Sequence, residues 1–189
     1  APSNPTGLPY TDVAADSWYY EAVKYVTDQG IMNGTTPTTF SPMTTTSRAM
    51  IVTMLWRMEG SPVVNYRMDF TDVKEDAYYA EAVRWAASEG IVDGYEDGTF
   101  GPDKTVTREQ MATILYRYAQ EKQYDVSGRN DLSAFADAAR VSAYAKEAMQ
   151  WAVDAGLISG IGDNLVPQNC ANRAQVATML MRFAENVNQ

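Results

Sequence analysis

Gly90-Ile91-Val92-Asp93-Gly94-Tyr95-Glu96-Asp97-Gly98-Thr99-Phe100, followed by Pro102 and Thr107-Arg108-Glu109-Gln110, is the stretch on which the reading of this chain turns, because its landmarks recur. Gly30-Ile31, Gly34, Thr39-Phe40, Pro42 and Ser47-Arg48 stand 60 places earlier at the same intervals. Laid without a gap on Asp72–Ala119, Asp12–Glu59 matches at 18 of 48 positions, where residue frequencies near 6% give about three by chance. A third copy follows. Asp137 answers Asp72 at offset 65, Gly156 and Gly160 follow at offset 66, and Pro167 and Arg173 return to 65. The 189 residues therefore divide into units at 1–60, 61–120 and 121–189, and a repeat decides architecture before any local propensity does.

Each unit reads as helix, loop, helix. Apolar residues recur at helical spacing in the first helices as Ala22, Val23 and Val26, as Ala82, Val83 and Ala86, and as Met149, Ala152 and Val153. Gly30, Gly90 and Gly156 follow where a left-handed cap residue is expected. The second helices carry Ile51, Met54, Leu55 and Met58, then Met111, Ile114, Leu115 and Tyr118, then Val176, Met179, Leu180 and Phe183. Such stripes are core before they are anything else. Between the helices Gly34, Gly94 and Gly160 read as turn residues, and Phe40, Phe100 and Leu165 as pins of the loop to the core. Gly60–Thr71 and Gln120–Ala136 read as linkers. The expected architecture is all-α, a three-lobed pseudo-threefold module with the second helices as a central three-helix bundle and the first helices outside.

Composition removes most chemistry. Histidine is absent, and with it the usual neutral-pH base and nitrogen metal ligand. One cysteine, Cys170, permits no intrachain disulfide and no multi-cysteine metal site. Fifteen basic against 24 acidic residues, a net charge of -9, argue against nucleic acid or an anionic membrane as the partner. No apolar run nears the roughly 20 residues of a membrane span. Ala1-Pro2-Ser3-Asn4-Pro5 reads as a processed end or an artificially cut one, so the lack of a targeting segment says little. No catalytic set, metal or cofactor is expected.

One feature of each unit asks for a cause. Ser47-Arg48, Thr107-Arg108 and Asn172-Arg173 each put a good N-cap residue directly before arginine, and Gln110 and Gln175 stand where a capping box needs them. Arginine at the first helical position faces the positive end of the dipole, at a cost of about 0.3 to 1 kcal/mol. Something negative must offset it three times. Two partners fit: an ion pair with Asp12, Asp72 or Asp137, which occupy equivalent points, or a bound anion held by free helix N–H groups and the guanidinium fork. Both readings stay open at this point.

Phe70-Thr71-Asp72-Val73, Tyr79, Glu81-Ala82-Val83, the stretch quoted at the outset and Thr107-Arg108-Glu109-Gln110 together strongly resemble the S-layer homology repeat. The resemblance covers nearly the whole chain, three times. It implies a non-catalytic module at the surface of a bacterial cell, outside the membrane. Its inter-repeat grooves would bind secondary cell-wall polysaccharide, often through a pyruvate ketal. The family's Thr-Arg-Ala-Glu signature maps onto Ser47 to Met50, Thr107 to Gln110 and Asn172 to Gln175, keeping arginine and replacing the glutamate by Met50, Gln110 and Gln175. The implied glycan-binding set is Arg48, Arg108 and Arg173, with Ser47, Thr107, Asn172, Asp12, Asp72, Asp137, Gly34, Gly94 and Gly160. The aromatics Trp18 and Tyr78, with Tyr144 at the same place in unit three, are either groove walls or plain core. Other surface-layer subunits are the rival class of partner, and would need an apolar patch.

Two weaker signals are set aside. Asp93-Gly94-Tyr95-Glu96-Asp97-Gly98 hints at a calcium loop, but the position that needs glutamate holds Lys104. Glu96 and Asp97 lack the apolar surroundings of a glycosidase acid. Cys170, at the place of Thr105, is expected to be incidental.

Overall fold

Helices begin and end where local chemistry dictates. The computed structural model describes residues 7–187, so the Ala1–Pro5 stretch lies outside the described residues. Six α-helices are present among them: α1 Tyr20–Asp28, α2 Arg48–Met58, α3 Ala80–Ser88, α4 Arg108–Glu121, α5 Lys146–Asp154 and α6 Arg173–Asn186. Short 3-10 turns cover Leu132–Ala134, Ala138–Arg140 and Ala143–Ala145. The second linker is thus shorter than expected, since α4 runs on to Glu121 and a turn forms within the rest.

The first helices end alike. Gly30, Gly90 and Gly156 adopt φ of 69°, 69° and 75°, and the N–H groups of Ile31, Ile91 and Leu157 reach back to the carbonyls of Val26, Ala86 and Ala152. That is the Schellman closure, which needs a left-handed residue. The second helices begin alike. Ser47, Thr107 and Asn172 cap the N–H groups of Met50, Gln110 and Gln175. Gln110 and Gln175 complete the box by accepting from the cap backbone at 2.9 and 3.0 Å. Met50 cannot, so α2 has half a box.

The predicted stripes are buried, apart from Met58 and Val153, which are half-buried, and the loop pins Phe40, Phe100 and Leu165 are fully enclosed. One continuous apolar core results. Helix packing within it runs between repeats: α2 lies on α3, α4 on α5, and α6 on α1. The second helix of each unit therefore finds its main helical partner in the first helix of the next. Between second helices, Tyr118 of α4 and Phe183 of α6 bring their ring centroids to 5.6 Å.

The segments entering the second helices meet too. Thr46 N–H donates to the Ala171 carbonyl at 3.0 Å, Ala171 N–H to Val106 at 2.8 Å, and Val106 N–H to Thr46 at 3.0 Å. Three repeats thus close a ring of backbone hydrogen bonds, and its members are fully buried. Buried backbone groups must be paired, and here each is paired only because all three repeats are present.

Candidate functional site

The three arginines stand directly after the ring segments, and each reaches the following repeat. Arg48 donates Nε to the Phe100 carbonyl and Nη2 to Asp93, both at 2.9 Å. Arg108 does the same to Leu165 and Ser159, both at 2.9 Å. Arg173 closes the circle on Phe40, at 2.8 Å, and Asn33. Arg108 and Arg173 are 4% and 6% exposed, so these charge-assisted bonds are made largely out of water and are strong ones. The face of Arg173 lies 4.6 Å from the Phe40 ring centroid, and that of Arg48 4.6 Å from Phe100.

The ion-pair alternative for the arginines needs correction, and so does the helix-terminus half of the anion alternative. Among the described residues none of the three forms an ion pair with a carboxylate. Asp12, Asp72 and Asp137 instead accept two consecutive backbone N–H groups each: Phe40 and Ser41, Phe100 and Gly101, Leu165 and Val166, at 2.7 to 2.8 Å. Aspartate and arginine therefore hold the same loop, one by its N–H groups and the other by a carbonyl. The helix N-termini are not open anion cradles either. The first two N–H groups of α2 donate to Lys104 and Pro102, those of α4 to Asn169 and Pro167, and those of α6 to Thr44 and Pro42. The third in each helix is held by its cap. Neighbouring backbone carbonyls are what offset the dipole.

Burial pulls the pKa of all three guanidinium groups down, opposed by the field of a carboxylate from the following repeat: Asp72 acts on Arg48, Asp137 on Arg108 and Asp12 on Arg173. The ordinary arginine value lies so far above neutrality that the groups stay charged. Burial pushes Asp137 up, but the N–H groups of Leu165 and Val166 outweigh it and hold the carboxyl below its usual range.

The remaining edge of two of these arginines lines a groove. One, of about 340 Å3, is walled by Arg108, Leu157–Ile161, Gln175, Thr178, Met179 and Arg182, with Trp18 as its lip. The other, of about 370 Å3, is walled by Arg173, Met32–Thr35, Met50, Thr53, Met54 and Arg57, with Tyr78 as its lip. Both fall in the range of ligand-sized pockets, about 300 to 1,000 Å3. Both grooves are thus built by three repeats: a loop and second helix from one, an arginine from the preceding one, an aromatic from the following one. Trp18 and Tyr78 are 65% and 64% exposed, which decides against their being core residues.

Gly34 and Gly160 line these grooves, and they are more than turn residues. A Cβ at Gly34 would stand 2.6 Å from Tyr10 Cε1, and one at Gly160 would stand 2.8 Å from Phe135 Cε1. Gly94 is crowded in the same way by Phe70. Only glycine lets these rings lie under the loop.

A second arginine in each repeat completes the site. Arg57, Arg117 and Arg182 recur at offsets of 60 and 65, and Arg57 and Arg182 line the two grooves beside Arg173 and Arg108. Sequence reading concentrated on the helix-start arginines and missed these, although the same offsets mark them. Neither groove wall contains a carboxylate, in a chain with 24 acids and 15 bases. The set can hold an anion by several guanidinium N–H donors and offer an aromatic face to an apolar one. Cys170 is exposed in a loop, its Sγ 3.4 Å from Thr105 Oγ1.

The family model of the S-layer homology domain matches residues 9–49, 69–112 and 134–177, one stretch in each repeat. The chain is 34% identical over 175 residues to a surface-layer 125 kDa protein of Lysinibacillus sphaericus, covering 89% of this chain and 14% of that protein. It is 30% identical over 189 residues to an endoglucanase of Bacillus sp. (strain KSM-635), covering 97% and 20%. To a cellulosome-anchoring protein of Acetivibrio thermocellus it is 27% identical over 151 residues, covering 77% and 33%. The chain thus spans a third or less of these relatives.

Proposed function

The chain belongs to the S-layer homology domain family, and from that premise we propose that its two acid-free grooves hold an anionic secondary cell-wall polysaccharide, through the carboxylate of a pyruvate ketal. The module belongs to the cell surface and serves there as an anchor. An endoglucanase, a surface-layer protein and an anchoring protein share this stretch as a minor part of their length. That sharing favours attachment over a reaction, and in this reading the module itself is non-catalytic. No helix among the described residues is long and apolar enough to cross a membrane.

The observation that carries the glycan reading is the pairing of two arginines without a carboxylate in each of two grooves. A net charge of -9 makes that arrangement costly to collect by accident, and an electropositive cleft in an acidic surface focuses an anion onto itself. Arg108 and Arg173 are held rigid by backbone carbonyls, so little ordering is needed on binding. Arg57 and Arg182 make only long bonds, 3.3 and 3.4 Å, to carbonyls of Ile31 and Gly156, and have donors to spare. Trp18 and Tyr78 supply flat faces for the sugar ring.

The test uses Arg57→Ala and Arg182→Ala, singly and together, because neither residue holds the fold. Calorimetry against a monosaccharide carrying a pyruvate ketal avoids the masking that several grooves on one polymer would produce. A charge-assisted hydrogen bond contributes about 1.5 to 3 kcal/mol, so each groove should weaken roughly 10- to 150-fold. A folded double variant that binds as tightly as the parent would refute the assignment.

A further inference from the structure

The third equivalent place, between Arg48, Arg117 and the loop of repeat 2, differs from the two grooves, and the difference lies in that loop. At the places of Asn33 and Ser159 this repeat has Asp93, and at the places of Thr35 and Ile161 it has Tyr95. We propose, resting on the anion reading above, that Asp93 and Tyr95 close the repeat-2 groove to the wall anion, so that the module carries two working anion sites and not three.

Three observations carry this. Asp93 sets a carboxylate 3.4 Å from Arg117, the residue equivalent to Arg57 and Arg182, so the second guanidinium of this groove already faces an anion. Tyr95 lies 5.2 Å from the Arg48 guanidinium, whose other neighbour Phe100 lies at 4.6 Å, and Lys104 rests 3.7 Å over the Tyr95 ring. Neither Thr35 nor Ile161 brings a ring to its arginine. The aromatic lip is tied as well: Tyr144 donates to Glu109 at 3.4 Å, and Glu109 also accepts from Ser142 N–H and Oγ at 2.9 and 2.6 Å. Glu109 replaces the alanines Ala49 and Ala174 of the other repeats. This groove therefore carries the Asp93 carboxylate where the others carry none. An incoming carboxylate meets like charge there, and like-charge juxtaposition is how a site rejects a ligand.

Asp93 is exposed and bonds through its backbone carbonyl to Arg48, so its side chain can be changed without touching the clasp. The experiment is calorimetric stoichiometry with the pyruvate-ketal monosaccharide on the whole chain. The parent should bind two equivalents. Asp93→Asn with Tyr95→Thr should bind three, and Asn33→Asp or Ser159→Asp, both at exposed positions, should each reduce the parent's two to one. Three equivalents bound by the parent, or no gain in the Asp93/Tyr95 variant together with no loss in Asn33→Asp and Ser159→Asp, would overturn the inference and leave the anion reading standing. No binding at all by the parent would overturn the anion reading, and this inference with it.

Discussion

Arg108 spends two of its N–H groups on Leu165 and Ser159 carbonyls across a repeat boundary, at 4% exposure, and this makes it a poor choice for a clean binding test. Arg108→Ala should cost about 2 to 4 kcal/mol of stability, since hydrogen bonds to a charge are worth about 1.5 to 3 kcal/mol each and two carbonyls lose their donor. Arg182→Ala, half-buried and with one long bond, should cost under about 1 kcal/mol. Chemical denaturation of the two variants side by side checks the contrast. Asp137 adds a pH signature. Its carboxyl is held below the usual range by Leu165 and Val166 N–H groups, so its contribution is fully present above the unfolded value near pH 3.9. That contribution is lost as pH falls through its own lower value. Asp137→Asn should flatten part of the acid limb of a stability-against-pH curve. That Asp12, Asp72 and Asp137 matter was legible in the sequence from their equivalent places; what they grip was not. Their partners are backbone N–H groups, which no residue identity reveals.

Elements were the most legible level, because caps and stripes act within a few residues. Ser47, Thr107 and Asn172 cap, Gln110 and Gln175 complete boxes, and the glycines after the first helices are left-handed, all as local chemistry requires. The loop backbone holds a less visible demand. Ser41, Gly101 and Val166 stand at equivalent places after Phe40, Phe100 and Leu165, with φ of 56°, 70° and 45°. Only one of the three is glycine, and a β-branched residue in this region is strained. The aspartate grip on the two N–H groups at this point maintains the conformation. Ser41→Gly and Val166→Gly relieve the strain, and because glycine also raises the entropy of the unfolded chain, the net gain should be modest, about 0.5 to 1 kcal/mol. Thermal melting of either variant should show a higher Tm, and a fall would mean that the Cβ contacts outweigh the backbone. Asn172→Ala should run the other way by about 1 kcal/mol, as lost caps do.

For the whole molecule, helix packing and arginine clasps run in one direction: α2 on α3, α4 on α5, α6 on α1, and each arginine on the loop of the next repeat. Sequence alone could not distinguish this exchange from docking within a repeat, because copies with equal intervals make both arrangements look alike. A chain ending at Gln120 would keep two repeats yet leave α1 without α6 and the axial Thr46 N–H without Ala171. It should show no cooperative unfolding transition by calorimetry, whereas the full chain should show one; a two-repeat chain that melted sharply would deny the dependence. The axial ring has a bearing on ancestry. An open array of repeats gains or loses a copy at its end with little penalty. In a closed triad a fourth copy has no seat, because the three N–H groups and three carbonyls at the centre already answer one another. A chain that gained a fourth copy would have to leave one copy outside the ring, its axial N–H and carbonyl to be paired elsewhere.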